Sequence, residues 1–176
     1  MTTDPKPDLV DVLRVQITAV YKRGVPHAAD LIEYPEARPL LDTLSPPDGQ
    51  ASERQRARAA LRMLHLAVDA LGGPRGDAAA AMLDFGAAHV RVTSITARKN
   101  AAGAHLGISG DWFSRDYLRT ITHALAMELD AQIQRRAGRT NSQPYRPHDP
   151  SVLPPPPPAS SYRPAAAPDR KHKPEQ

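Results

Sequence analysis

The sequence predicts an all-α protein: a domain of five to six helices over residues 8–138, then a disordered proline-rich tail over 139–176. Three observations carry this. Apolar residues recur at steps of three and four along several segments, the spacing that lines one face of a helix. The chain is 40% hydrophobic but only 5% aromatic, so alanine, leucine and valine must fill much of the core, and alanine is the strongest helix former. No β-branched alternation long enough for a sheet is present.

Residues 1–7 carry no periodic pattern and are expected to be a disordered N-terminus. The first helical pattern covers 8–24, with Leu9, Val12, Leu13, Ile17, Val20 and Tyr21 on one face. Gly24 and Pro26 stop it. Pro35 and Pro39 break up the next segment, leaving a short helix near His27–Tyr34 and a turn of helix near Pro39–Leu44. Ser45-Pro46-Pro47-Asp48-Gly49 has the residues of a loop. Ser52 and Gln55 fit a capping box, three residues apart. The helix they open buries Leu61, Leu64, Val68 and Leu71 and ends at Gly72-Gly73-Pro74, read as part of a helix-ending loop that runs to Gly76. Arg58 and Arg62, four apart, share a face of it. Asp77 is expected to cap a fourth helix through Met82, Leu83 and Phe85 to about Ala88. A loop with Val90 and Val92 follows.

Thr96 is the expected N-cap of a fifth helix that runs to His105, and Ser109 starts the sixth. There Phe113, Tyr117, Ile121, Leu125, Leu129 and Ile133 repeat every four residues, with neither Pro nor Gly between Asp111 and Gly138. Such a helix spans about 40 Å at 1.5 Å per residue. Its second half has more length than a recognition helix needs, and should pack on the other helices or on a second chain. From Ser142 the character changes. Eleven of the 19 prolines lie between Pro144 and Pro174, and Pro154–Pro158 are consecutive. Proline lacks the N–H that helix and sheet ladders need, so this segment favours an extended polyproline form.

Residues 96–119 read as helix, tight turn, helix. Leu106 ends the first apolar stripe. Gly107 can take the positive φ of a C′ position. Ile108 is placed to plug the angle between the helices, and Ser109 can cap the second by accepting a backbone N–H bond. Gly103 supplies the small residue facing the partner helix, and Phe113 the first buried anchor after the turn. Asp116 is charged, so Tyr117 must carry the next packing contact. The Trp112–Phe113 pair reads as core at the helix start. If the element reads DNA, Asp111, Ser114 and Arg115 face a groove, Arg119 follows one turn on, and Arg98 and Lys99 reach phosphates. A helical hairpin with a purely structural role produces the same short pattern.

The stretch from Ala97-Arg98-Lys99 through Leu106-Gly107-Ile108-Ser109 to Phe113, continuing to Leu125-Ala126-Met127-Glu128-Leu129, resembles a helix-turn-helix-like module of many actinobacterial proteins. Arg98, Lys99, Ala101, Ala102, Leu106, Gly107, Ile108, Ser109 and Phe113 match its pattern. Leu61–Ala88 resembles the helical pair that precedes the module, so the resemblance covers roughly residues 55–135. Gly103 stands where the pattern has alanine, and Trp112 where it has a small polar residue. The Leu-Gly-Ile-Ser turn alone also resembles the last DNA-binding region of sigma factors. The resemblance implies a regulatory or adaptor role.

Charge sharpens the expectation. Residues 91–139 hold eight basic and four acidic side chains, against ten and twelve in residues 1–90. The positive excess therefore sits with the helix-turn-helix pattern, as suits a polyanion partner such as double-stranded DNA. Cysteine is absent, which removes disulfides, thiolate catalysis and Cys-based zinc sites. The seven histidines show no ligand spacing, no phosphate-binding Gly-x-x-x-x-Gly-Lys loop occurs, and Ser109 lies in no nucleophile elbow. No signal peptide or membrane span is expected, and the protein is read as cytoplasmic. The leading expectation is non-enzymatic DNA binding or transcription-linked regulation, without metal or cofactor. The alternative is an adaptor or homo-oligomerisation module whose proline-rich tail recruits a protein partner. A truncation ending near Gly138 should melt at the temperature of the full chain; a marked drop in a thermal melt would show that the tail packs.

Overall fold

Helix signals in the sequence become helices wherever a cap and an apolar stripe coincide. The protein was studied as a computed structural model that describes residues 8–85 and 94–141. Within them every regular element is helical and no strand occurs. The expected N-terminal segment, the loop with Val90 and Val92, and the proline-rich tail from residue 142 on lie outside the described residues.

Helix α1 (Leu9–Val20) starts where Asp8 accepts a bond from the Val10 N–H, and buries Leu13, Ile17 and Val20. Helix α2 (Asp30–Glu33) is a single turn and α3 (Arg38–Leu44) has Pro39 in its first turn, where a missing N–H costs nothing. In the following loop Asp48 accepts from the N–H groups of Gln50 and Ala51 at 3.0 Å each, which holds its carboxyl below the usual range. Helix α4 (Glu53–Leu71) opens with the complete Ser52–Gln55 capping box. Its core face is Ala57, Ala60, Met63, Leu64, Ala67 and Val68, while Leu61 and Leu71 sit half-buried at its edge. Arg56 was not among the expected core residues. It is buried against α3, bonding Asp42 at 2.5 Å and the Ser45 carbonyl at 2.7 Å.

Helix α5 (Gly73–Leu83) corrects two expectations. It begins at Gly73 rather than Asp77, because Pro74 is preorganised for a first turn, so α4 and α5 meet at Gly72 without a separate loop. Its helical run ends at Leu83, short of Ala88, where Asp84 takes a left-handed conformation (φ 65°). Helix α6 (Ile95–His105) is capped by Ser94, which accepts from Ala97 N–H; Thr96 lies inside the helix.

The last helical stretch has three parts: α7 (Gly110–Trp112), a π-helical turn (Phe113–Tyr117) and α8 (Leu118–Asn141). The π turn explains why the four-residue repeat fails at Tyr117. A strict repeat of four drifts around an α-helix of 3.6 residues per turn. One wider turn, closed by the Leu118 N–H on the Phe113 carbonyl, absorbs the drift. Leu118 then packs against the core, and Tyr117 is left 41% exposed. Gly138 does not end the helix, which continues to Asn141.

Helix α8 lies against α1, α4 and α5, so its second half packs within the fold as expected. The core it closes is aliphatic: Phe113 and Tyr21 are its two fully enclosed rings, among leucines and alanines. Burial pushes the Tyr21 phenol up to about 12, although the Thr122 side chain beside it acts in the opposite direction. The phenol stays protonated in the folded chain over a range where it ionises in the unfolded chain. Stability should therefore fall as pH rises from about 10 towards about 12. A Tyr21→Phe variant should lose this part of the alkaline decline, visible as a flatter melting-temperature profile over the same range.

Candidate helix-turn-helix site

The turn is built from the backbone outward. The Ile108 N–H donates to the Gly103 carbonyl at 2.9 Å and the Gly107 N–H to that of Ala104 at 3.1 Å. These two bonds, with Gly107 at φ 70°, make a complete Schellman motif. Ser109 follows at once as the N-cap of α7, its hydroxyl accepting from Trp112 N–H at 3.2 Å. One helix thus ends and the next begins without a spare residue. Close approach explains Gly103. A Cβ there would stand 2.7 Å from the Ile108 carbonyl oxygen, so the turn's backbone lies directly on α6. An alanine at that position would push the two helices apart.

Each turn residue can now be placed. Phe113 is fully buried, while Leu106 and Ile108 are half-buried against the core. Ile108 packs into the helix junction but does not plug it completely. Trp112 departs from the sequence reading: it is 52% exposed, and only Phe113 of the aromatic pair is core.

The expected DNA-contacting residues divide. Arg98 cannot reach a phosphate. It is 2% exposed, with its guanidinium donating to the Tyr21 carbonyl at 2.7 Å and lying 3.9 Å from the Asp84 carboxylate. Burial draws its pKa down and Asp84 acts to restore it. The cation sits where α1 and α5 end. There it meets a carbonyl that the end of α1 leaves without a helical partner and the negative ends of two helix dipoles. Lys99, the next residue, is half-buried. Asp111, Arg115 and Arg119 are exposed and Ser114 is half-buried. Ser114 and Arg119 come together with Asp11, Arg14, Val15, Thr18, Leu118 and Thr122 along a groove of about 550 Å³ between α1 and the last helix. The accessible charge on the first turns is balanced, because Asp111 and Asp116 stand among Arg115 and Arg119.

Spacing could have separated Arg98 from Lys99. Arg98, Ala102 and Leu106 are four apart and form the inward stripe of α6, so an arginine there faces the core. Asp84 left no comparable signal, since its role depends on where α5 stops. Among the described residues no group of three or more His, Asp or Glu is placed to hold a metal ion, and no helix is long and apolar enough to cross a membrane. Compared with protein families, with curated proteins and with solved structures, the chain matches none.

Two stability outcomes follow. Arg98→Ala leaves Asp84 buried beside a cavity and should cost about 3–5 kcal/mol in a denaturant melt. Wild-type stability would mean that Arg98 is not structural. Ile108→Ala should cost about 1–2 kcal/mol, below the roughly 2–5 kcal/mol of a fully enclosed site. Ile108→Asp should cost more than Ile108→Ala, since the junction would have to take up an unpaired charge.

Proposed function

We propose that the chain is a non-enzymatic protein-interaction module whose helix-turn-helix element associates with a protein partner, in the simplest case a second copy of itself. Trp112 is the observation that carries this reading. An indole half open to water on the first turn after the cap leaves a large apolar surface uncovered. Aromatic side chains of this kind supply the central contacts of protein interfaces. Tyr117 adds a second exposed ring one turn away. The balanced charge of Asp111, Asp116, Arg115 and Arg119 suits a protein surface better than a phosphate backbone. The proline-rich segment supplies a further recruitment element, since polyproline stretches dock into aromatic-lined grooves.

Duplex DNA binding is the second reading. It is favoured by the tight capped turn together with the accessible Arg115 and Arg119 and the half-buried Lys99. Without Arg98 it has three of its four cationic contacts left.

Trp112 is the chain's sole tryptophan, so its emission reports on its own environment. The interaction reading expects a blue shift as the protein is concentrated, with a matching mass increase in sedimentation, and expects Trp112→Ala to stay at monomer mass over the same concentrations. If Trp112 stays water-exposed and the chain stays monomeric, while a DNA duplex binds with a salt slope that falls by about one unit per arginine removed at 115 or 119, the DNA reading replaces it.

A further inference from the structure

We propose that the groove between α4 and α8 is a docking site for a short amphipathic helix with acidic flanks. The groove shares no lining residue with the helix-turn-helix element, so the proposal stands apart from the function proposed above.

Helix α4 carries more apolar surface than the core uses. Ala59, Leu66 and Ala70 stand outside its core face and, with the edge of the core residue Met63 and Gln132 of α8, line a groove of about 580 Å³. Leu66, at its centre, is 60% exposed. The rim is cationic. Arg62 comes from α4, and Arg135 and Arg136 from α8. Glu128 is the one carboxylate in the lining, and it is already engaged by Arg135 at 2.6 Å. Arg136 also reaches the Met63 sulfur at 3.0 Å and the Leu44 carbonyl at 3.5 Å, which holds it at the groove wall.

An apolar floor between arginines selects an occupant that is apolar on one face and acidic on its margins. Three arginines against one glutamate leave the rim net positive, and the exposed Arg62 can lay its stem on apolar surface while its head meets a carboxylate. Phosphates alone would satisfy the rim but leave Leu66 uncovered, which argues for a peptide over a nucleic acid. The stripe from Ala59 to Ala70 runs about 16 Å at 1.5 Å per residue, room for about three turns of a docked helix. Laying an apolar face into such a groove is a recurrent mode of recognition.

The test uses a synthetic helical peptide of about four turns, with leucines at i, i+3, i+4 and i+7 flanked by glutamates, and a twin with lysines replacing the glutamates. Binding to the full chain is read by fluorescence anisotropy. The acidic peptide should bind at least about tenfold more tightly than its twin. Arg62→Glu and Leu66→Asp should each weaken it about tenfold or more. Both sites are exposed, so the melting temperature should hold. Should charge reversal unfold the chain, Arg62→Gln removes the charge alone and should still weaken binding. Equal binding of the two peptides, no binding of either, or full affinity in the variants would overturn the proposal. So would a DNA duplex that binds through Arg62 more tightly than the acidic peptide, which would make the groove a polyanion site.

Discussion

The buried guanidinium of Arg98 is the contact on which the arrangement of this protein depends. Three chain segments converge on it: the end of α1 through the Tyr21 carbonyl, the end of α5 through Asp84, and α6, which supplies the arginine itself. A buried charge is tolerated only where partners surround it, so a shift of one segment that strips a partner from Arg98 while leaving it shielded from water is costly. The hydrogen bond from Val25 N–H to the Leu83 carbonyl, 2.9 Å, ties the same two helix ends together through the backbone. With α6 held there, the Schellman turn and Ser109 fix the direction of the last helix, and that helix in turn closes the aliphatic core.

The consequence for function is a division of labour among basic residues that look alike in sequence. Arg56 and Arg98 hold helices together from inside. Arg115 and Arg119 face water beside Asp111 and Asp116. Arg62, Arg135 and Arg136 border an apolar groove on another face. A net positive charge read from the whole segment suggests one cationic surface. Sorted by position, the charge of that segment divides among the buried Arg98, the near-neutral turns around Asp111 to Arg119, and Arg135 and Arg136, which share a groove with Arg62 of α4.

Much of the fold was legible because its determinants are local. The Ser52–Gln55 box, the Gly107 stop, the Ser109 cap and the proline in the first turn of α3 each act within four residues. What escaped depended on partners distant in the chain. Gly73–Gly76 looked like a loop because glycine is a poor helix former, yet Gly76 is where α5 crosses α4 closely: a Cβ there would stand 2.8 Å from the Val68 carbonyl oxygen. Tyr117 looked inward because the period was assumed constant, and the π turn changes it. Trp112 looked like core from composition alone, since an apolar residue beside a buried phenylalanine gives no sign of which side it faces. For the candidate site, the turn was legible from its local residues, whereas the burial of Arg98 beside exposed Asp111, Arg115 and Arg119 was not.

A double-mutant cycle on Arg98 and Asp84 tests the central claim most directly. Asp84→Asn keeps a residue that accepts the left-handed backbone, and Arg98→Met keeps the buried stem. If the pair anchors the three segments, the two single variants should each be strongly destabilised, and the double variant should recover part of the loss. The coupling energy should be about 1 kcal/mol or more by denaturant unfolding. Effects that add to within about 0.5 kcal/mol would mean that the two residues act independently, and that something other than this buried contact sets the position of α6.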